Sequence, residues 1–407
     1  MKVTTRSNPT TPTGAATLNA LTTTASTSVS RLAIDLGKYK SVACLHDHAS
    51  GEVRFTTVET TRAELRKLLD KERPAAVVIE ACLLAGWVHD LCLEHGVRCL
   101  VANTASEAWK FKHLKRKTDK DDALRLAQLY LLGQLPTVTL PPTAVRQWRS
   151  LIACRQALVG RRVAVQNRIR ALFVAQGLPA PRGARAWAAA GLAGIASWAK
   201  PLGDCGPEEL WRGLLELALT EYRQVGALIE QAEARLDALG KQQADVVLLQ
   251  TAPGLGPRTA EVVAAYLHDP TRFRTGKQVS AFGGLVPRQH QSGEMDRRGR
   301  ISKRGPALLR KLLVECAWCM VRYNAWARAF YRRLTGGGQR RKKQAIVALA
   351  RKILVRAWAM LRDRKPWHDP LAGPKQPLSP SKQRRQAEAR QRRQAMQQVA
   401  LAPIAPE

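Results

Sequence analysis

Apolar runs of five to seven residues, separated by polar segments, fill the first third of the chain. β-branched and apolar residues predict strands over 31–35, 41–46, 52–58, 75–80 and 97–102. Leucines at helical spacing predict a helix over 61–72, and further helices are expected over 84–95 and 103–112. Antiparallel strands followed by alternating strand and helix predict a mixed α/β sheet of the RNase H-like type.

Longer helical patterns fill the rest of the chain. A basic helix is predicted over 143–176, and a second long helix over 208–241 carries an apolar stripe. The stripe comprises Val225, Leu228, Ile229, Ala232, Leu236 and Leu239. It would suit a coiled-coil arm or helical hairpin that joins two chains, and packing within one chain is the alternative. Further helices are predicted over 308–323 and 343–361.

The pattern divides the chain into five segments. Residues 1–30, rich in Thr, Ser, Asn and Pro, are expected to be a disordered leader, and 363–407 a basic disordered tail. Between them we expect an α/β domain over 31–135 and a basic helix and coiled-coil linker region over 143–241. A mainly α-helical C-terminal domain is expected over 245–362.

Four carboxylates of the first domain lie at positions that suit a catalytic or metal-binding site. Asp35 and Glu80 end two apolar strands, and Asp119 and Asp122 lie three apart on a predicted helix, so that they share a face. A turn-forming role is the alternative for each acid taken singly. Converging carboxylates repel one another unless cations neutralise them, and oxygen-only ligands favour Mg²⁺ or Mn²⁺. The set therefore predicts a divalent-metal site suited to phosphodiester cleavage.

The charge balance predicts a polyanionic partner. The 407 residues include 66 Lys and Arg against 32 Asp and Glu, which gives a formal net charge of +34. Nucleic acid is the first candidate, and a membrane is disfavoured because no run of about 20 apolar residues occurs. Lys115, Arg116 and Lys117 directly precede the acid pair and are expected to bind phosphate there, with a solvated face as the alternative.

The eight cysteines are scattered, mostly in apolar surroundings, as reduced core thiols are. Cys316 and Cys319 form a Cys-x-x-Cys pair with no second pair beside it, which disfavours a zinc or redox role. Residues 1–30 contain no apolar core of a secretory signal. Reduced thiols and a nucleic-acid partner predict a bacterial cytoplasmic protein associated with the nucleoid.

A glycine-containing turn opens the C-terminal domain. Residues 248–260 include Gly254 and Gly256 in a Pro-Gly-x-Gly turn and match a helix-hairpin-helix. Its glycines let the backbone approach a phosphate, and the helix that follows offers its N-terminal N–H groups. An ordinary turn between two helices is the alternative.

The segment 279–305 is rich in glycine and arginine and is expected to hold phosphate. Its candidate phosphate-binding cations are Arg288, Arg297, Arg298, Arg300, Lys303 and Arg304. A hydroxyl among such cations could attack a phosphodiester, and the chemistry alone leaves Ser280, Ser292 and Ser302 open. Ser280 lies on an apolar side and Ser302 would suit a helix cap, whereas Ser292 stands in a polar turn and is the best exposed.

Together these motifs resemble the DEDD-type transposases of bacterial insertion sequences, the IS-one-ten group. The resemblance covers roughly residues 31–362. It rests on the acid series, on Lys-Thr-Asp-x-x-Asp-Ala over 117–123, and on the motifs at 253–256, 284–288 and 302–305. It implies a RuvC-like first domain joined to a C-terminal transposase domain.

The resemblance also implies residue roles and partners. The acid series of the family falls on Asp35, Glu80, Asp119 and Asp122, and its serine nucleophile falls on Ser292. Gln-Ser-Gly stands at 291–293 where many members have Ser-Ser-Gly. The family resemblance implies recombination of double-stranded DNA guided by a structured noncoding RNA. It also implies a homodimer, assembling to a tetramer on DNA, in which carboxylates and serine come from different protomers.

Two other interpretations stay open. One is a metal-dependent nuclease of the Holliday-junction type that uses water as the nucleophile, and partial loss of activity on Ser292→Ala would favour it. The other is a non-catalytic nucleic-acid-binding protein. A purified protein that is inert with Mg²⁺, RNA and DNA would favour the latter.

Overall fold

The computed structural model describes residues 30–47, 50–103, 118–292, 295–338 and 340–369. The chain divides into two compact units between Pro141 and Pro142. The predicted helix over 103–112, nearly all of the predicted leader and most of the predicted tail lie outside the described residues. The predicted phosphate-binding residues Lys115, Arg116 and Lys117 lie outside them too.

The first unit is built on a six-stranded mixed sheet. Its elements are β1 (Ser30–Asp35), β2 (Lys40–Asp47), β3 (Val53–Glu59), α1 (Arg62–Glu72), β4 (Ala76–Glu80), α2 (Ala85–Glu94), β5 (Arg98–Ala102), α3 (Asp119–Leu131) and β6 (Thr137–Val138). The strands lie in the order β3-β2-β1-β4-β5-β6. β1, β4 and β5 are parallel, while β2, β3 and β6 pair antiparallel with their neighbours. This architecture fits the predicted RNase H-like class.

The two faces of this sheet are covered by different helices. Leu32, Ile34 and Ile79 pack in a core with buried residues of α1 and α2. Ala33 and Val78 are the alternate residues of the same strands, and they pack against α3. Because strand side chains alternate between faces, the burial pattern assigns each strand residue to one of the two layers.

The second unit is mainly helical. Its elements are α4 (Thr143–Ala175), α5 (Ala189–Ala196), α6 (Leu210–Gln242), α7 (Ala244–Leu249), α8 (Pro257–Leu267), α9 (Gly276–Phe282), β7 (Pro287–Ser292), β8 (Met295–Ile301), α10 (Ala307–Tyr323), α11 (Ala325–Thr335) and α12 (Lys342–Asp363). The two long predicted helices are thus confirmed. The strands β7 and β8 and the helices α5, α9 and α11 had not been predicted.

The long helices α4 and α6 pack against each other in opposite directions. In the first half of α4, Arg155 donates to Glu233 in the second half of α6, with Nε–Oε1 at 2.8 Å. Further along α4, Arg161 and Arg168 both donate to Glu221. Three arginines of the predicted basic helix are therefore paired with carboxylates of α6, although Arg161 and Arg168 stay largely exposed to solvent.

The apolar stripe of α6 is largely buried within this unit. Val225, Ile229 and Leu236 are buried, whereas Leu228 is 44% exposed. Packing within the chain, the alternative stated from the sequence, accounts for the buried part of the stripe. The coiled coil between chains stays a prediction.

The core of the C-terminal part gathers around α12. Leu349, Ile353 and Leu354 of α12 pack with Leu313 of α10 and Val263 of α8. α10 begins at Ala307 with Pro306 as its N-cap residue. The alternative that Ser302 caps this helix is therefore wrong. Among the described residues, the helices are all too short or too polar to cross a membrane.

Candidate active site

Asp35 and Glu80 end neighbouring parallel strands at the same edge of the sheet. Ile34 of β1 pairs with Ile79 of β4, so the next residues along, Asp35 and Glu80, lie side by side. Strands in a sheet are about 4.8 Å apart. Asp35 lies two residues after Ala33 and Glu80 two residues after Val78, and both Ala33 and Val78 pack against α3. Because every second residue of a strand points to the same face, both carboxylates leave the sheet on the α3 face. Each is half-buried.

The helix α3 presents its first turn to this edge. Its direction is given by Arg31 at the start of β1, whose guanidinium carbon lies 5.4 Å from the ring centre of Tyr130 near the end of α3. α3 therefore runs opposite to β1. Its N-terminal turn, which carries Asp119 and Asp122, lies toward the strand end that carries Asp35.

The acids of this first turn have different surroundings. Asp119 precedes the buried Ala123 by four residues, and Asp122 precedes the buried Leu126 by four, so both belong to the sheet-facing side of α3. Asp121 lies off that side and accepts a hydrogen bond from Thr118 Oγ1 at 2.6 Å. Thr118 Oγ1 in turn accepts from the Asp121 backbone N–H at 3.3 Å. The Thr118 cap, which the sequence analysis missed although Thr-x-x-Asp signals it, fixes the start of the helix.

The structure thus brings the four predicted carboxylates to one edge and one face of the first sheet. An all-oxygen donor set of this kind fits Mg²⁺ or Mn²⁺ in its chemistry. Among the described residues, however, no group of three or more His, Cys, Asp or Glu side chains is gathered closely enough to hold a metal ion. The metal assignment therefore rests on shared placement and donor type.

The three candidate serines differ in exposure. Ser280 is 6% exposed, and its hydroxyl donates to the Gly276 carbonyl at 2.7 Å. The Ser302 hydroxyl oxygen is buried, and its backbone N–H donates to Val286. Ser292, the last residue of β7, is exposed. Of the three hydroxyls, that of Ser292 is the one a phosphodiester can reach without rearrangement of the core.

Arginines share one face of the β7–β8 hairpin with Ser292. Arg288 and Ser292 are four residues apart on β7 and leave the same face. Arg297 of β8 pairs with position 290, between them, and directly opposed residues leave the same face. The pairing is irregular beside Arg288. A Cβ at Gly299, two residues after Arg297, would nevertheless lie 3.7 Å from the Cβ of Arg288, which shows that Arg288 is on the same face as Arg297.

The remaining predicted cations of this segment are exposed where they are described. Arg288, Arg297, Arg300, Lys303 and Arg304 all expose their side chains. The side chains of Arg298 and His290 lie outside the described residues. The hairpin is therefore a basic element with exposed cations, and its first strand ends at Ser292.

Two glycines of this segment, Gly284 and Gly305, allow the backbone of one part of the segment to approach the backbone of another closely. A Cβ on Gly284 would lie 2.0 Å from the Arg304 carbonyl oxygen, and one on Gly305 would lie 2.0 Å from that of Phe282. Arg310, which the sequence analysis missed, donates to the carbonyls of Arg304 at 3.0 Å and Gly305 at 2.8 Å. Both glycines thus fasten the root of the hairpin to the core, a role distinct from the predicted contact with phosphate.

The predicted turn at 253–256 joins α7 and α8. Gly254 has a φ of +79°, and a Cβ there would meet Met320 of α10 at 3.0 Å. Gly256 precedes α8 with open space around it. Gly254 therefore serves the turn and its packing, and Gly256 is the glycine of the pair that faces open space.

Comparison with known proteins shows the family to which the chain belongs. A model described as Transposase, for the DEDD transposases of IS110 elements, matches residues 32–175. A second, described as Transposase IS116/IS110/IS902 family, matches residues 246–332. A probable family 20 transposase of Pseudomonas aeruginosa is 34% identical over 341 residues, covering 82% of this chain and 97% of that protein. The chain belongs to this IS110-type transposase family.

Other similar proteins carry related names. The transposase of the insertion sequence IS1111A of Coxiella burnetii is 29% identical over 343 residues, covering 81% of this chain and 89% of its own length. A pilin gene-inverting protein of Moraxella lacunata is 33% identical over 123 residues, covering 30% of this chain and 38% of its own length. As a member of the family, the chain is a DNA transposase of an insertion sequence. The non-catalytic alternative is thereby disfavoured.

Proposed function

We propose that this transposase cleaves and rejoins DNA with Ser292 as its nucleophile. The observation that carries the proposal is the position of Ser292, exposed at the end of β7 on the face that also carries Arg288 and Arg297. Guanidinium groups beside a hydroxyl stabilise the charge that develops on a phosphate under attack. The hydroxyls of Ser280 and Ser302 are buried and lack this access.

The proposed step exchanges one phosphate ester for another. Ser292 Oγ forms a bond to phosphorus, and the bond from phosphorus to the departing DNA oxygen breaks. The serine proton leaves to solvent or to a nearby base, and the departing oxygen takes up a proton. Because the covalent serine–DNA ester keeps the bond energy, a DNA hydroxyl can reverse the step at a new site without ATP.

The carboxylate edge would hold the divalent cation. Asp35, Glu80, Asp119 and Asp122 would be its ligands, and the bound cation would polarise a phosphate oxygen and offset its charge. These residues would position the cation, because two of them end neighbouring strands and two lie on the capped first turn of α3. Without a cation, four carboxylates at one edge would repel DNA.

The partners proposed beyond DNA come from the family resemblance. They are a noncoding guide RNA and a homodimer that assembles to a tetramer, with the carboxylates and serine of different protomers meeting on DNA. The net charge of +34 supports two polyanions as partners. The exposed predicted cations Arg288, Arg297, Arg300, Lys303 and Arg304 would contact their phosphates, together with Arg298 and the turn at Gly256.

The test of the nucleophile is a trapped protein–DNA adduct. On a nicked suicide substrate, the wild-type chain should yield a covalent adduct that resists denaturant and maps to Ser292 by mass spectrometry. Ser292→Ala should abolish it. Ser280→Ala and Ser302→Ala are the matched controls and should retain it. Cleavage without any adduct would instead favour the nuclease that uses water.

The test of the carboxylates separates binding from cleavage. Asp35→Asn and Glu80→Gln should abolish strand cleavage while DNA binding stays equal or becomes slightly tighter, because negative charge is removed. Asp121→Asn is the control from the same helix turn, since Asp121 lies off the sheet-facing side. Full cleavage by both of the first two variants would overturn the metal assignment.

A further inference from the structure

The helices α11 and α12 lie in a stretch that contains almost no acidic residue. From Cys316 to Arg362 the sequence has neither Asp nor Glu but has twelve Lys and Arg. The family match ends at residue 332, so most of this stretch lies outside both matched regions. Such one-sided charge is costly in a folded element unless some of the cations are used by the fold or by a partner.

Some of these cations are used by the fold. Arg356 stacks between Trp326 and Trp367, with its guanidinium carbon 4.0 Å and 4.7 Å from the two ring centres. Arg328 donates to the backbone carbonyls of Val321 and Arg322. Arg362 pairs with Asp363 at 2.7 Å. These contacts explain the burial or orientation of each side chain without any partner.

Six other cations gather where α11 ends and α12 begins. They are Arg332, Arg333, Arg340, Arg341, Lys342 and Lys343, and we call them the α11–α12 cation cluster. All except the half-buried Lys342 are exposed. In the described part of the chain, the members of the cluster form no ion pair with an acidic side chain. The cluster is thus a concentrated positive charge that the fold itself does not neutralise.

Half of the cluster is placed against the dipole of its own helix. The first turn of a helix favours acidic residues, because its free N–H groups carry partial positive charge. α12 begins with Arg341 as N-cap, Lys342 and Lys343, with no acid in the first turn and no side-chain cap. An anion at this turn would relieve both the repulsion among the cations and their conflict with the dipole.

The connection between the helices contains two glycines with open space beside them. Gly336 and Gly337 have φ values of +56° and +79°, and a Cβ on either would meet nothing within 4 Å. The backbone at these two positions is consequently uncovered on the side where a Cβ would lie. In the sequence, Arg332 and Arg333 of α11 precede these glycines, and Arg340 and Arg341 follow them just before α12.

We propose that the α11–α12 cation cluster is a phosphate-binding surface for duplex DNA. The proposal rests on the proposed function for the identity of the polyanion, since DNA is what this family acts on. It needs neither Ser292 nor the carboxylates. Contacts of this kind bind the backbone without reading the sequence, so the surface would hold any duplex that the protein engages.

The test measures duplex affinity with cleavage switched off. The full chain is titrated in EDTA with a labelled duplex of arbitrary sequence, about 30 base pairs long, from about 50 to 300 mM salt. The cluster variant is R332Q/R340Q/R341Q. The control variant, R62Q/R66Q/K67Q, removes the same charge from α1, where Arg62 and Arg66 lie within 4.0 Å of Glu94 and Lys67 lies 2.7 Å from Glu64.

The cluster variant should bind at least about tenfold more weakly at about 150 mM salt. Its log–log salt slope should fall by roughly 2 to 3, because each lost phosphate contact lowers the slope by about 0.9. The control should change affinity less than about twofold, and R332K/R340K/R341K should restore most of it. If the triple Gln variant does not fold, the single variants R332Q and R341Q replace it, each with a slope change of about 1.

Three outcomes would overturn the proposal. Equal losses in the cluster and control variants would show bulk charge rather than a surface. An unchanged salt slope would show that no phosphate contact was lost. Loss of binding to a single-stranded RNA of equal length, with duplex binding intact, would assign the surface to RNA. Because the assay contains EDTA and measures no cleavage, it stands apart from the adduct and carboxylate tests.

Discussion

Ser292 is distinguished from Ser280 and Ser302 by what surrounds each hydroxyl. The sequence places all three among glycines and arginines, and their chemistry is identical. Only the fold buries two of the hydroxyls and leaves the third at the end of a strand. Exposure is a property of packing between residues far apart in the chain. The polar turn around Ser292 therefore indicated its exposure, while the burial of the other two depended on contacts that no local pattern reveals.

Replacing the single residue Gly284 should lower the stability of the fold. Gly284→Ala adds a Cβ 2.0 Å from the Arg304 carbonyl oxygen at a φ of +65°. We expect unfolding free energy to fall by at least about 2 kcal/mol, since strain and overlap add. Gly256→Ala, in open space, should lower it by no more than about 1 kcal/mol, because Ala is only a poorer N-cap residue for α8. Equal urea-unfolding midpoints for the two variants would contradict the close approach.

The buried Glu261 should make stability depend on pH. It is 1% exposed and pairs with Arg258 at 2.9 Å, yet burial raises the pKa of Glu261 to about 7 against the opposing effect of Arg258. A raised folded-state pKa means that the native state binds the proton more tightly. The contribution to stability is therefore full below about pH 4.5 and is lost as pH rises through 7.

Unfolding curves of the wild type and Glu261→Gln check this sign. Relative to the variant, the wild type should lose a few kcal/mol between pH 4.5 and 7, at about 1.4 kcal/mol for each pKa unit. The comparison uses one denaturant and one salt concentration, so that other groups cancel. Parallel pH dependences of the two proteins would show that Glu261 is not perturbed.

At the scale of elements, two threonine N-caps allow an effect on stability to be distinguished from an effect on activity. Thr61 caps α1 by accepting from the Glu64 N–H at 3.2 Å, and Thr118 caps α3 by accepting from Asp121 at 3.3 Å. Thr→Ala at either site should cost about 1 kcal/mol of stability. Only Thr118→Ala should also lower metal-dependent cleavage, because α3 carries Asp119 and Asp122. A parallel drop in cleavage for Thr61→Ala would mean that the loss follows stability alone.

Elements with strong apolar periodicity were predictable from the sequence. The strands that end at Asp35 and Glu80 and the helices α4 and α6 repeat apolar residues at the spacing of their structure. The β7–β8 hairpin lacks such a signal, because arginine and glutamine occupy most of its positions. α11 was missed because Asn324, which caps it, is all that separates it from α10.

The gathering of the carboxylates was predicted only in part. A strand-end acid is visible in the sequence as Ile-Asp or Ile-Glu after an apolar run. Which neighbours it meets depends on the parallel pairing of β1 with β4 and on the direction of α3. Neither follows from local residues, since both depend on contacts between segments more than forty residues apart.

For the whole molecule, the excess of cations should dominate binding to DNA. With a net charge of +34, affinity for any duplex should fall by roughly a factor of 10³ or more between about 50 and 200 mM salt if six or more phosphates are neutralised. Deleting residues 370–407, which carry two Arg-Arg pairs, should lower non-specific affinity more than cleavage specificity. A flat salt profile would contradict an interface dominated by phosphates.

The shared acceptor of the α4–α6 pair has a consequence for how this unit can vary in length. Glu221 receives both Arg161 and Arg168, which are seven residues, or two helical turns, apart. Inserting seven residues into both helices would extend the pair by about 10.5 Å and return every side chain to nearly its former face. Insertions of two or five residues would rotate the arginines away from α6. Related chains could therefore lengthen the α4–α6 pair in steps of seven residues and keep the contacts at both of its ends.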